Sequence, residues 1–139
     1  MREIYRSVFG EKDAHTAVAL LRFGELSLAR TQYPRAEQFF RDSVQRFSET
    51  LSPEDLRTGI ARIELGGALF HEQRYQDAET QLLAGYQIVT SQGHTSTQEA
   101  ADARRDLAAV YYALNQPEKA AKFRAELAAN EPRKVASGK

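Results

Sequence analysis

The stretch Tyr33-Pro-Arg-Ala-Glu-Gln-Phe-Phe40 returns twice in altered form, as Tyr75-Gln-Asp-Ala-Glu-Thr-Gln-Leu82 and as Pro117-Glu-Lys-Ala-Ala-Lys-Phe-Arg124. Aligned on Ala36, Ala78 and Ala120, the copies stand 42 residues apart both times. Their surroundings keep the same interval. Gly24, Gly66 and Ala108 lie twelve residues before each alanine, and Phe23, Leu65 and Leu107 lie one residue earlier still. A shared interval of this length marks a repeat array, in which no unit can bury its apolar face alone. Such arrays generally offer an extended binding surface.

Working outward, each unit reads as two antiparallel helices. Ala17, Leu20, Leu21, Gly24 and Leu28 make a three-and-four stripe, and so do Ala36, Phe39, Phe40, Val44 and Phe47. Units two and three repeat the pattern, and no segment alternates apolar and polar residues as a half-buried strand does. The expected helices run 13–31, 34–50, 53–73, 75–92, 96–115 and 117–129, with a short one at 2–9. Ser52-Pro-Glu-Asp55 reads as a helix start with Ser52 as the cap and Pro53 in the first turn. Pro34 and Pro117 fit the openings of second helices, where a missing N–H costs nothing. Glycine in a helix interior costs about 1 kcal/mol against alanine. Two glycines in register, Gly24 and Gly66, therefore point to close helix crossings. The expected organisation is one array over 1–129, with a partial repeat 1–12, repeats 13–52, 53–94 and 95–129, and a polar flexible tail 130–139.

Composition narrows the function. The chain has 139 residues, 19 basic and 19 acidic, with no cysteine. Balanced charge gives no net field toward nucleic acid or an anionic membrane. The polar start, Met1-Arg-Glu-Ile-Tyr-Arg-Ser7, is unlike a secretory leader, and a cytoplasmic setting is expected. His15, His71 and His94 have no mutual ligand spacing, and no phosphate loop or nucleophile elbow occurs. The expectation is a non-enzyme without metal or cofactor.

The small residue in each first helix, the tyrosine near the turn and the alanine early in the second helix resemble the tetratricopeptide repeat. That family's usual period is about 34 residues. The longer unit here is similar to the kinesin-light-chain type, and Phe9-Gly-Glu-Lys-Asp-Ala-His-Thr16 resembles that type's interhelix loop, Leu-Gly-Pro-Asp-His-Pro-Asp-Thr. Arg62 and Arg104 depart from it, standing where a large apolar residue is usual. Ser27 replaces an aromatic that Tyr111 keeps. Tyr5 falls in register with Phe47 and Val89, and Phe9 with Leu51, so the chain is expected to begin partway through a second helix, as a piece of a longer array. The last unit resembles the C-terminal arrays of larger bacterial signalling proteins.

The resemblance implies an all-α, right-handed α-solenoid whose first helices line a concave groove. It carries the partner-binding role to Arg22, Glu25, Glu64, Phe70, His71, Arg105, Asp106 and Tyr112. Leu21, Ile63 and Phe70 have an equal reading as core between units. The implied function is a non-catalytic protein-interaction module that takes a protein or peptide partner. The alternative is an assembly segment that forms a homodimer through repeat ends or docks within a larger protein.

Overall fold

The period recurs in the backbone itself. Thr31, Gln73 and Asn115, each 42 residues from the last, hold positive φ angles of 59°, 64° and 60°. At each, the next N–H reaches back to a helix carbonyl: Gln32 to Ser27, Arg74 to Leu69 and Gln116 to Tyr111, at 2.9, 2.9 and 2.8 Å. This left-handed cap satisfies carbonyls that a helix end otherwise leaves open. The chain then reverses within about three residues, which forces the two helices of a unit antiparallel.

The computed structural model describes residues 2–130, with side chains from Asp13 onward. It contains helices α1 (Arg2–Ala29), α2 (Tyr33–Thr50), α3 (Leu56–His71), α4 (Tyr75–Ser91), α5 (Gln98–Ala113) and α6 (Pro117–Ala129), and no strand among the described residues. The fold is all-helical, as expected. Residues 131–139 of the expected tail lie outside the described residues, as do the side chains of Tyr5 and Phe9.

Two sequence expectations need correction. The expected break near residues 10–12 is absent, and one helix runs Arg2–Ala29. The loop it resembles carries two prolines, where this chain has Glu11 and Ala14. Only Gly10 then opposes the helix, at about 1 kcal/mol. The cap of α3 is Asp55 rather than Ser52. The Asp55 carboxylate accepts from the Arg57 N–H at 2.9 Å. Thr97, 42 residues on, caps α5 by accepting from the Ala100 N–H at 3.2 Å. Pro53 lies in the turn before α3. Ser52 instead offers its carbonyl to the Thr58 hydroxyl at 2.8 Å.

Units one and two each close at two points. A Cβ added at Gly24 would stand 2.5 Å from the Phe40 ring, and one at Gly66 would stand 2.5 Å from Leu82 Cγ. The second crossing joins Gly59 and Gly85 in unit two. A Cβ at Gly85 would stand 2.5 Å from the Gly59 carbonyl oxygen. Its counterpart in unit one is Ser43, whose hydroxyl donates to the Ala17 carbonyl at 2.8 Å. Ala36, Ala78 and Ala120 are fully buried, in keeping with their place at close contacts.

Consecutive helices pack throughout. In addition α1 meets α3 and α3 meets α5 at close backbone range, whereas among the described residues α2 and α4 do not approach so closely and α4 and α6 touch through side chains, Tyr86 against Phe123 and Glu126. The first helices therefore form one layer with direct side-by-side contacts, and the second helices stand behind it with their backbones farther apart. Arg104, the departure noted in the sequence, is buried where α4, α5 and α6 converge. It donates to the Tyr86 oxygen at 2.9 Å and to the Thr95 carbonyl, with the Tyr86 ring 5.3 Å away. Tyr86 passes its own hydrogen to Glu126 at 2.8 Å. A buried guanidinium is tolerated because its donors are met.

Gly85→Ala decides between propensity and packing. Propensity alone adds roughly 1 kcal/mol of stability. A methyl against the Gly59 backbone should instead remove about 1–3 kcal/mol. The urea midpoint reads the sign, and an upward shift contradicts the close crossing.

Candidate functional site

The first-helix layer carries three stripes in one register. On α3 the stripe is Arg57, Ile60, Ile63, Glu64, Gly67, Phe70 and His71. Shifting by 42 residues gives Glu99, Asp102, Arg105, Asp106, Ala109, Tyr112 and Ala113 on α5. The same shift backward gives His15, Val18, Leu21, Arg22, Glu25, Leu28 and Ala29 on α1. Positions three and four apart share a helix face, so side-by-side helices in register present one continuous surface. All eight candidate residues lie on it.

Two cavities divide this surface. The smaller, about 300 Å³, lies between α1, α3 and the start of α5. Val18, Leu21, Ile60 and Ile63 give it apolar walls, and Arg22, Glu25, Arg57, Glu64, Glu99 and Asp102 give it charge. The larger, about 590 Å³, is bounded by Phe70, Tyr75, Ala108, Ala109, Tyr112 and Leu127, with Arg105 and Arg124 its charged members. The candidates are thus split. Arg22, Glu25 and Glu64 belong to the first cavity, and Phe70, Arg105 and Tyr112 to the second. His71 and Asp106 line neither. The His71 ring stacks on Tyr33 at 4.8 Å. Asp106 lies against Gly67, where an added Cβ would meet its Oδ2 at 3.4 Å. Burial pushes the Asp106 carboxyl above its ordinary range, against the pull of Arg105.

Of the apolar residues with a competing core reading, Leu21 and Ile63 are buried at 7% and 3% exposure, which makes them chiefly core. Phe70 is half-buried, packing on Tyr75 with ring centroids 5.8 Å apart. Tyr112 is 71% exposed and is the most accessible aromatic of the set.

The smaller cavity holds an unusual carboxyl pair. Burial, then the neighbouring Glu25, pushes Glu64 up to about 9. Burial also works against ionisation of Glu25, but hydrogen bonds with Glu64 and Arg22 outweigh it and leave Glu25 below its usual range. Two carboxyls at contact share one proton because both cannot ionise cheaply. Arg22 holds the Glu25 side at 2.9 Å. Glu64 Oε2 is buried and accepts from no donor among the described residues. Arg105 holds Asp102 at 3.0 Å. Glu99 forms no ion pair with any described residue. A protonated carboxyl beside a carboxylate, over an apolar wall, can exchange a proton or receive a cation. No serine, threonine or histidine stands among the lining residues to act as a nucleophile or imidazole base.

Sequence reading missed Arg57, Ile60, Glu99 and Asp102. The signal was present, since the same register carried one turn toward the N-terminus reaches all four. Arg124 and Leu127 carried a subtler signal. Arg124 stands where Phe40 and Leu82 plug the Gly24 and Gly66 crossings, and Leu127 stands at the place of Ser43 and Gly85. Unit three lacks that apolar plug, and the larger cavity opens there. No protein-family model and no curated protein matches the chain. No helix among the described residues is long and apolar enough to cross a membrane.

Glu64 sets a pH dependence. With a folded value of about 9 against an ordinary 4.5, the native state holds a proton that the unfolded chain has released. Stability therefore falls as pH rises from about 4.5 toward 9. Glu64→Gln keeps a donor for Glu25 and removes the titration. It should flatten that fall and raise stability at pH 8 by on the order of 1 kcal/mol. Guanidinium unfolding at pH 5 and pH 8 tests this, and a variant with the wild-type pH slope contradicts the shared proton.

Proposed function

We propose that the chain is a tetratricopeptide-like right-handed solenoid of three helix pairs. In this reading it is a non-catalytic, cytoplasmic interaction module whose first-helix face takes a peptide or partner segment rather than nucleic acid or membrane. The supporting observation is the three-stripe surface in 42-residue register, with two cavities and exposed Tyr112 along it. A long surface built from repeated positions suits an extended chain better than a compact small molecule. Aromatic side chains anchor such contacts, and exposed ion pairs add only about 0–1 kcal/mol each. Once a partner is in hand, Tyr112→Ala and Phe70→Ala should each weaken it by about 1–3 kcal/mol. Glu64→Ala should cost less, and Gln45→Ala on the outer side of α2 should cost nothing measurable. Titration calorimetry reads the order. A partner indifferent to both aromatics lies elsewhere.

One observation favours assembly as a second reading. Leu65 and Ala68 on α3, and Leu107 and Val110 on α5, are at most 2% exposed. The same register positions on α1 are Phe23 and Leu26, which are 53% and 49% exposed. In α3 and α5 that side faces the preceding second helix, with which each packs. Apolar surface left open in this way favours association. In this reading α1 is covered in a homodimer, and light scattering should give twice the monomer mass at micromolar concentration. Phe23→Glu should restore the monomer. A wild-type monomer across that range removes the reading.

A further inference from the structure

The two cavities differ in charge, and that difference selects a ligand. The smaller holds four acidic residues and two arginines. Both arginines are already engaged, Arg22 with Glu25 at 2.9 Å and Arg57 with Asp55 at 3.3 Å. The remaining carboxyls of this cavity include Glu99, without an ion partner among the described residues, and the buried Glu64, whose Oε2 has no donor. Val18, Leu21, Ile60 and Ile63 line the approach. A long aliphatic stem ending in a cation fits both features, since lysine and arginine bury their methylenes and keep the charge at the rim. The larger cavity is the converse. Its apolar lining of Phe70, Tyr75, Ala108, Ala109, Tyr112 and Leu127 carries only basic charge, from Arg105 and Arg124. Arg105 is committed to Asp102 and Asp106. Arg124 has no carboxylate partner among the described residues.

The cavities meet along α5. Asp102 lines the first, Arg105 lines the second, and the two side chains are joined at 3.0 Å. From Asp102 to Ala109 and Tyr112 is seven to ten residues of helix. At 1.5 Å per residue that is about 10–15 Å. An extended chain advances about 3.3 Å per residue, so roughly three to five residues span it.

We propose that the first-helix face binds an extended peptide with a lysine or arginine in the Glu25–Glu64–Glu99–Asp102 cavity. Three to five residues away, the peptide carries a bulky apolar residue beside a carboxylate, seated between Tyr112, Phe70 and Arg124. The proposal rests on the interaction-module reading and adds its ligand class. The buried Glu64 carboxyl supports it, because a cation beside that group stabilises its ionised form. Binding should therefore release a proton and strengthen as pH rises.

Random dodecapeptides displayed on phage, selected against the full chain, test this with no partner known in advance. Selected peptides should share the basic residue and the apolar–acidic pair at that separation. Their binding should fall at least about tenfold on Ala109→Arg, which fills part of the larger cavity with a bulky side chain. Asp102→Asn should weaken them about three- to fivefold. If Ala109→Arg loses helical signal, Tyr112→Asp at the exposed position replaces it. Peptides lost on Ala109→Arg that lack the basic residue, or carry an acid in its place, overturn the ligand class and leave the module intact. Peptides indifferent to both face variants, or no selection above background, overturn the module reading and the proposal with it.

Discussion

The structure depends on how closely two helix backbones can approach. At Gly59 and Gly85 the approach is such that one added carbon would stand 2.5 Å from a carbonyl oxygen. At Gly24 and Gly66 the space a side chain would fill is already taken by Phe40 and Leu82. Small residues cost helix propensity, about 1 kcal/mol for each glycine against alanine. The cost is met by packing, because interiors reach high density only where neighbours interdigitate. Once each pair is drawn together, its apolar stripes face the next pair and the first helices come side by side. The shared first-helix face is a consequence of that adjacency.

Much of this was legible because the period repeats the physical cause along with the residue. Ala36, Ala78 and Ala120 are fully buried in all three units, and the glycines in register, Gly24 and Gly66, do lie at close crossings, whereas the Gly59–Gly85 crossing did not show in the spacing. Helix starts at Pro34 and Pro117 were equally legible, since proline leaves few other choices. What escaped had weaker local signals. Asp55 and Ser52 are both good caps, and the choice rests on which one ends up with a free N–H within reach. The continuity of α1 through Gly10 rests on prolines that are not there, and resemblance to a loop concealed their absence. All eight candidate residues fell on one face, yet their division into two cavities did not show in the sequence. That division comes from Arg124 and Leu127, on a second helix that the face itself does not include.

Charge follows the same logic of place. Arg104 is fully enclosed and fully hydrogen-bonded, and serves to tie three helices. Glu37 and Glu72 form another carboxyl pair beside Arg41 and Arg74, with Glu72 raised by burial and then by Glu37. Arg104 and Glu37 are satisfied within the protein, whereas Glu72 Oε1 is buried without a hydrogen-bond donor. Glu64 Oε2 is likewise buried without a donor, Glu99 has no ion partner among the described residues, and both residues line the smaller cavity. Balanced overall composition concealed that local imbalance, since 19 acids and 19 bases say nothing about where each one lies.

The central claim is that α3 and α5, separated by a whole unit in sequence, lie side by side with Gly67 against Asp106. The absence of native cysteine makes this directly measurable. A chain carrying Gly67→Cys and Asp106→Cys is treated with a short bismaleimide, which alkylates both thiols, and digested. An intramolecular α3–α5 link in high yield, absent from each single-cysteine chain, is the expected result. Two thiols that react freely with maleimide yet form no intramolecular link would mean that the first helices are not adjacent. The shared face would then not exist.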